Sequence, residues 1–281
     1  MDFGKPWVMG IVNVTPDSFF SGSRAEGASA VVRRAQQLVA EGADILDVGA
    51  CSTRPDSSPI SEEEEWQRLA PALEALRKVL PDAVVSVDTF RASIARRSVC
   101  NFGVDLINDI SGGELDAAMF ETVAELGVPY VLMHGGSPAS VLPDEQAMTT
   151  AIGQDPGRWN DLLLAEVTRY LAVRLQLLHS LGVADVILDP GFGFGKTLAQ
   201  NYALLRRLPD LAKALPGYPL LVGISRKRMI HSLLDISPEE ALNGTTVLNT
   251  LALQGGANLL RVHDVREAVE AVKIYVAFEK A

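Results

Sequence analysis

Short apolar runs that end in polar residues constrain the fold of this chain more than any other feature. The runs are rich in Val, Ile and Leu, have the length of strands, and recur along the whole sequence. Polar residues stand at their carboxyl ends: Asn13, Asp47, Asp88, Asn108, Asp189, Lys227 and Arg261. Polar groups collected at the carboxyl ends of parallel strands indicate an active site that the whole fold builds.

Strand-like and helix-like segments alternate from end to end, which favours parallel strands covered by helices. We predict strands at 7–14, 44–49, 84–88, 104–108, 129–134, 186–189, 220–224 and 258–263. We predict helices at 27–42, 61–80, 91–101, 115–126, 158–181, 198–213, 238–254 and 265–278. A proline inside the second helix, Pro71, is expected to break or bend it.

Eight such repeats without a break in composition predict an α/β fold, one closed (β/α)8 TIM barrel that forms a single domain over residues 1–281. The alternative is a doubly wound open sheet, which normally has fewer strands and a glycine-rich dinucleotide loop after the first. The residues at the end of the first predicted strand, Asn-Val-Thr-Pro-Asp-Ser at 13–18, contain no glycine. The barrel is therefore favoured.

Charge and composition argue against nucleic-acid and membrane partners. A formal net charge of -10 argues against non-specific nucleic-acid binding, which needs a basic surface. No apolar run approaches the roughly 20 residues of a membrane span, and residues 1–14 lack the pattern of a secretory leader. With two cysteines only, reduced thiols are the default. We expect a soluble, cytoplasmic protein that binds neither nucleic acid nor membrane.

The acidic run at 62–65 suggests either a metal cluster or the start of a helix. Ser61 and Glu64 have the spacing of a capping box, and acidic residues in a first helical turn interact favourably with the helix dipole. Zinc ligation is also not indicated, because the histidines are scattered along the chain. We interpret the run as a helix start, and Cys51 as a bystander thiol rather than a reactive one.

The glycine-rich segment after the sixth strand, 189–197, resembles a nucleotide loop only superficially. A phosphate-binding P-loop needs a glycine where Pro190 stands, and the Gly-x-Gly-x-Gly spacing also misses the dinucleotide pattern. What remains is a loop that permits close approach, with Asp189 at its base. The alternative role for Asp189 is to cap the following turn.

Cations gather beyond the seventh and eighth strands. The segment Ser-Arg-Lys-Arg at 225–228 follows strand seven, and Arg261 and His263 lie on strand eight at i, i+2, so they share one face. Barrels often bind phosphate beside these two strands. A solvated basic turn is the alternative, but the paired Arg and His favour an anion site.

The acidic and amide side chains predict recognition of a heterocycle. Asp88, Asn108 and Asp189 end strands three, four and six, and together they offer both donors and acceptors. Asn13 and Asp47, at strands one and two, suit water or a hard cation such as Mg²⁺ beside a diphosphate. The alternative for Asp47 is that it braces the second loop.

At these residues the chain resembles the dihydropteroate synthase family over essentially its whole length. The motifs that carry the resemblance are Asn-Val-Thr-Pro-Asp-Ser-Phe at 13–19, Ser-Thr-Arg-Pro at 52–55, Ser-Val-Asp-Thr at 86–89, Asn-Asp-Ile at 108–110, the loop at 189–196, Ser-Arg-Lys at 225–227 and Arg-Val-His-Asp at 261–264. The family's activity joins 4-aminobenzoate to 6-hydroxymethyl-7,8-dihydropterin diphosphate in an SN1-like reaction that releases diphosphate.

The resemblance implies roles for named residues, Mg²⁺ as cofactor, the two substrates as small-molecule partners, and a homodimer. The pterin would contact Asp88, Asn108, Met133, Asp189 and Lys227. Diphosphate would contact Asn13, Thr53, Arg54, Arg261 and His263, with Asn13 beside the metal. The aminobenzoate pocket would be formed by Thr53, Pro55 and Phe194. Residues that touch the reacting groups would be Asp88, Asp189, Lys227, Arg261 and His263.

Three departures from the family pattern mark open points. Residues 50–51 are Ala-Cys where Gly-Glu is usual, and the segment after His134 is shorter than usual. Arg228 stands where a serine often contacts the aminobenzoate carboxylate, so we expect Arg228 to pair with that carboxylate. The alternatives to a synthase are a pterin-dependent methyltransferase and an inactive pterin-binding paralogue, but neither would need the diphosphate residues.

Overall fold

In the computed structural model, the described residues 3–14, 24–51, 60–135 and 156–281 form a barrel of eight parallel strands. The strands are β1 Trp7–Asn13, β2 Ile45–Gly49, β3 Val85–Asp88, β4 Leu106–Asp109, β5 Tyr130–Met133, β6 Val186–Asp189, β7 Leu221–Val222 and β8 Leu259–Val262. Neighbours in the sheet follow chain order, β1 pairs with β8, and a bridge between Leu188 and Leu220 joins β6 to β7. The predicted (β/α)8 barrel is confirmed.

Ten helices in the described part of the chain alternate with these strands. They are α1 Arg24–Glu41, α2 Glu62–Val79, α3 Ala92–Phe102, α4 Met119–Leu126, α5 Pro156–Ser180, α6 Leu198–Arg206, α7 Leu208–Ala214, α8 Arg228–Leu234, α9 Leu242–Gln254 and α10 Val265–Glu279. A large apolar core packs between this ring of helices and the outer face of the strands. None of the described helices combines the length and hydropathy that crossing a membrane requires.

The interior of the barrel has an apolar floor of its own. One inward residue from most strands builds it: Met9, Ile45, Leu106, Val131, Ile187, Leu221 and Leu259. Phe3 and Trp7, whose rings pack 4.9 Å apart, lie against this cluster from the amino-terminal end. The barrel is therefore filled below its mouth, as packed barrels of this size are.

Two predicted helices differ from the structure for local reasons. The segment 198–213 is two helices that meet at Arg207, because Pro209 lacks the N–H that one continuous helix would need there. Pro71, expected to break or bend α2, does not break it, because one helix runs from Glu62 to Val79. The short helix α8 was not predicted, because the basic turn at 225–228 masked its start.

Candidate active site

A polar layer lies directly above the apolar floor, on the same strands. Side chains two positions apart on a strand point the same way, so the residue that follows a floor residue by two also faces inward. On four strands that residue is polar: Asp47, Asn108, Asp189 and Arg261. On β5 the equivalent residue is Met133, which is buried. Four of the seven polar residues of the sequence pattern thus form one physical layer.

Arg261 joins Asp47 of this layer to Asp88, which ends β3. Its Nε donates to Asp47 Oδ2 and its Nη2 donates to Asp88 Oδ2, each at 2.6 Å. Asn108 Nδ2 donates to the same Asp47 oxygen at 3.0 Å. Asp47 is fully buried. Its partners show that it supports Arg261 and Asn108, and these bonds do not involve the second loop.

Burial shifts the pKa values of the two carboxyls at the mouth upward. The pKa of Asp88 is raised because burial disfavours its charge more strongly than Arg261 favours it, and the charge of Asp47 adds to the rise. The pKa of Asp189 is also raised by burial, against the opposing charge of Lys227. Asp189 Oδ1 accepts from the Gly191 N–H at 2.7 Å. The turn-capping role therefore exists and uses one carboxyl oxygen.

Lys227 lies at the N-cap of α8 and reaches into the same mouth. Its Nζ donates to the Phe192 carbonyl at 2.6 Å and lies 4.6 Å from the centre of the Phe194 ring. Burial lowers the pKa of this lysine to about 8, while the charge of Asp189 acts in the opposite direction. The site thus holds a buried ammonium whose nearest opposite charges are the two mouth carboxyls.

The seventh and eighth loops are fastened to each other beside the cations. His263 Nδ1 and Ser225 Oγ are 3.0 Å apart, and Arg226 binds Asp264 through two bonds of 2.8 and 2.9 Å. Arg226 adopts a left-handed backbone, with φ of 55°, and its partners fix that conformation. Burial and the charge of Arg261 lower the pKa of His263 to about 4. The neutral imidazole therefore lies among arginines, whose positive charge favours the binding of an anion.

The residues assigned to aminobenzoate are only partly described. Phe194 is half-buried on the β6 loop, and Arg228 is exposed at the first position of α8. Thr53, Arg54 and Pro55 lie outside the described residues. The structure therefore brings Phe194 next to Lys227, but it records no contact between Arg228 and the polar layer.

The metal assignment rests on one side chain. Asn13 is exposed at the end of β1, paired in register with Gly49. Among the residues that the structure describes, no three His, Cys, Asp or Glu side chains are grouped as metal ligands would be. A single amide oxygen suits Mg²⁺ only when substrate phosphates and water complete its shell, which is how this ion commonly binds.

Two polar groups near the site were missed by reasoning from the sequence. Glu65, interpreted only as part of a helix start, is fully buried, pairs with Arg91 and accepts from Thr89 Oγ1 at 2.7 Å. Ser61 does cap α2, accepting from the Glu64 N–H. Lys196 is largely buried beside His134. A spacing rule cannot find Glu65, whose partners come from other elements. It cannot find Lys196 either, because backbone carbonyls and the His134 ring hold this side chain.

Comparison with known proteins places the chain in a family. The model of the pterin binding enzyme family matches residues 9–263. The dihydropteroate synthase of Escherichia coli is 40% identical over 280 residues, covering 99% of this chain and 93% of the relative.

Two solved structures agree with this placement. A dihydropteroate synthase from Clostridium difficile, determined with pteroic acid, has a TM-score of 0.87 at 32% identity and covers 99% of this chain and 98% of its own. That of Xanthomonas albilineans with 4-aminobenzoic acid has a TM-score of 0.86 at 36% identity, covering 100% and 96%. The chain therefore belongs to the pterin binding enzymes and, within them, to the dihydropteroate synthases.

Proposed function

We propose that this transferase joins 4-aminobenzoate to 6-hydroxymethyl-7,8-dihydropterin diphosphate, giving 7,8-dihydropteroate and diphosphate. The observation that carries the proposal is the polar layer on the apolar floor, which presents acceptors, an amide and cations in one mouth. Family membership supports the same reaction. The substrates are small molecules, and we propose that the enzyme acts in the cytoplasm without nucleic-acid or membrane partners.

For the pterin ring, we assign Asp88, Asn108, Asp189 and Lys227, with Met133 against one face. The ring displays amino, N–H and oxo groups, so it needs acceptors and donors in a fixed array. Each carboxylate has about four lone-pair positions, so the single bonds from Arg261 to Asp88 and from Gly191 to Asp189 leave room for a ligand. Lys227 supplies the charged donor.

For the diphosphate, we assign Arg261 and His263, with Asn13 and the loop residues Thr53 and Arg54. Arg261 has five N–H donors, of which its bonds to Asp47 and Asp88 use two. Asn13 would help to hold Mg²⁺ against diphosphate oxygens. When bound, the metal supplies positive charge that stabilises the departing group.

The chain's own residues then act mainly through electrostatics. Negative charge grows on diphosphate as it leaves, so cationic donors stabilise the transition state more than the bound substrate. A preorganised donor of this kind lowers the barrier by about 3–4 kcal/mol. Asp88 and Asp189 stabilise the positive charge that develops on the pterin side. An aniline amine is already unprotonated at neutral pH, so no general base is assigned.

For the aminobenzoate, we assign Phe194, Thr53 and Pro55 to the pocket wall and Arg228 to the carboxylate. Arg228 is exposed at the start of α8, and its guanidinium can pair with a carboxylate.

Arg228→Ala tests the assignment of the carboxylate. Losing a charged hydrogen bond should raise the KM for aminobenzoate about tenfold while leaving pterin binding unchanged. Arg206→Ala, at an exposed position on the last turn of α6, serves as the control variant. An unchanged KM in Arg228→Ala would remove this residue from the pocket.

One assay tests the reaction itself. Purified enzyme is given the dihydropterin diphosphate, aminobenzoate and Mg²⁺, and diphosphate release is followed with and without the amine. We expect release that depends on aminobenzoate, together with formation of 7,8-dihydropteroate. A protein that binds pterin but releases no diphosphate would be the inactive paralogue, and the proposal would fail.

We also propose that the enzyme is a homodimer. Helices α9 and α10 pack on each other, and each exposes two large apolar side chains at i, i+4 spacing. These are Val247 and Leu251 on α9, and Ile274 and Phe278 on α10. Exposed apolar groups in such numbers on packed helices are typical of an interface between subunits.

A further inference from the structure

The ammonium of Lys196 lies where the loops after β5 and β6 meet. It donates to the carbonyl oxygens of Gly191, His134 and Phe194 at 2.9, 3.1 and 3.2 Å. It also lies 3.0 Å from His134 Nδ1. We call these four residues the Lys196 cluster. Its contacts join the loop that follows Met133 to the loop that follows Asp189. Both Met133 and Asp189 are assigned to the pterin.

A buried ammonium is costly, so its position needs a compensating network. Burial lowers the pKa of Lys196 to about 7. Among the described residues, no carboxylate lies within salt-bridge distance of its Nζ. The charge of Asp189 favours the ammonium from beyond salt-bridge distance, and the groups in direct contact are carbonyl dipoles and one imidazole nitrogen, which act only while the loops keep this arrangement. The network therefore stabilises one conformation of the two loops.

The imidazole of His134 is suited to accept this bond. Burial and the charge of Lys196 lower the pKa of His134 to about 3, so the ring is neutral and Nδ1 can accept a hydrogen bond from the lysine ammonium. The ring also packs edge-on against Tyr170, with centroids 4.7 Å apart. The acceptor is thus held in place from the side of α5.

The two loops fit together with no space between them. A methyl group added to Gly191, which has a φ of 71°, would lie 1.7 Å from the His134 carbonyl oxygen. A methyl added to Gly135 would lie 2.7 Å from Phe194 Cβ. Glycine is required at both positions. The His134 N–H donates to the Asp189 carbonyl at 2.9 Å where the strands end, and the Lys196 ammonium adds a side-chain connection between the loops beyond that point.

The fastened loop carries Phe194. The Phe194 carbonyl accepts from Lys196, while its ring lies under the Lys227 ammonium. Asp189, by contrast, is held by its own strand and by the Gly191 N–H. Loss of the Lys196 ammonium would therefore release Phe194 and leave Asp189 in place.

We infer that Lys196 is a positioning residue that fixes Phe194 as the wall of the aminobenzoate pocket by fastening the β6 loop to the β5 loop. This inference rests on the proposed function. It assigns Lys196 no contact with substrate, and it separates the two half-sites, because the pterin contacts are supported elsewhere.

The test compares Lys196→Met, which keeps the apolar stem, with Lys213→Met on the surface of α7 as the matched control. Three quantities are measured for each: the KM for aminobenzoate, the Kd for 6-hydroxymethylpterin, and amide hydrogen exchange in peptides covering 133–135 and 190–196. For Lys196→Met we expect the KM and the exchange rates to rise about tenfold or more, which corresponds to one lost charged hydrogen bond. The pterin Kd should change by less than about threefold, since Asp189 and Lys227 remain.

Lys196→Ala provides an independent check through chemical rescue. Ethylammonium chloride should restore much of the KM by returning an ammonium to the vacated space, whereas potassium chloride at the same concentration should not. Unchanged exchange and KM in Lys196→Met would overturn the inference. Equal losses in pterin and aminobenzoate binding without rescue would do the same, because they would indicate a general structural role. If the wild-type enzyme makes no dihydropteroate, the proposed function fails, and hydrogen exchange still decides whether the ammonium fastens the loops.

Discussion

The ionisable residues of the mouth are shifted toward neutrality by the same cause. Burial raises the pKa values of Asp88 and Asp189 and lowers the pKa of Lys227 to about 8. Opposite charges in the mouth restrain each shift. The polar groups of a bound pterin replace water at these residues, whose charged forms burial already disfavours.

Lys227 should give pterin binding an alkaline limit. The pKa of this lysine is lowered to about 8, so the charged donor is present below that pH and is lost as pH rises through it. The Kd for 6-hydroxymethylpterin, measured by calorimetry from pH 6.5 to 9.5, should therefore increase above pH 8.

Two variants isolate the contribution of Lys227. Lys227→Arg should remove the alkaline limit, because a guanidinium stays charged across this range. Lys227→Ala should abolish binding at every pH while the circular dichroism spectrum is unchanged. Tight pterin binding by Lys227→Ala would show that the strand-seven site is misassigned.

The sequence predicted which residue types end the strands, but it did not predict their partners. A polar residue after an apolar run is visible in one line of sequence, and the barrel brings such residues together. The bond between Asp47 and Arg261 joins residues 214 positions apart, so no local pattern reveals it. Lys196 was missed for a different reason, since most of its partners are backbone carbonyls, which no residue type in the sequence reveals.

At the scale of elements, strand and helix order followed from hydrophobic periodicity, while helix ends and pairings depended on packing. The predicted first turn of α2 shows both outcomes. Ser61 caps the helix as expected, but the fourth acidic residue of the run turns inward to Arg91. Periodicity could not separate Glu65 from its exposed neighbours, because four consecutive acids carry no apolar signal.

The buried ion pair of Glu65 and Arg91 should contribute far more to the free energy of unfolding than the exposed pair of Glu63 and Arg97. Arg91→Met leaves the fully buried Glu65 without its cation, which should lower the free energy of unfolding by about 3–5 kcal/mol. Arg97→Met removes an exposed partner of Glu63, and should cost about 1 kcal/mol or less. Each arginine also lies over an aromatic ring, so the pair is matched. Urea denaturation of both variants measures the difference, and equal costs would contradict the buried assignment.

At the scale of the whole molecule, the barrel separates support from chemistry along its axis. The apolar floor fills the lower interior, and the polar layer begins two residues above it. Helices α9 and α10 meanwhile direct apolar side chains away from the barrel. The surface assigned to self-association thus lies on the outside, apart from the layer assigned to catalysis.

A charge on the outer face of α10 should dissociate the proposed dimer. Ile274→Glu places a carboxylate at a position that is 70% exposed in the single chain, where burial in an interface would be unfavourable. Light scattering should give half the wild-type mass at equal concentration, with little change in melting temperature. Val173→Glu, at a 54% exposed position on α5, should remain dimeric. A monomeric wild type, or an unchanged mass in Ile274→Glu, would refute the interface.

The closure of the barrel between β6 and β7 has a consequence for substrate binding. In the described part of the chain, these strands meet through the bridge between Leu188 and Leu220, whereas β1 and β2 share five register pairs. Asp189 and Lys227 stand on either side of this weak junction. A pterin ring bound by both residues would connect β6 to β7. The substrate itself would therefore strengthen the closure of the barrel where backbone pairing is sparse.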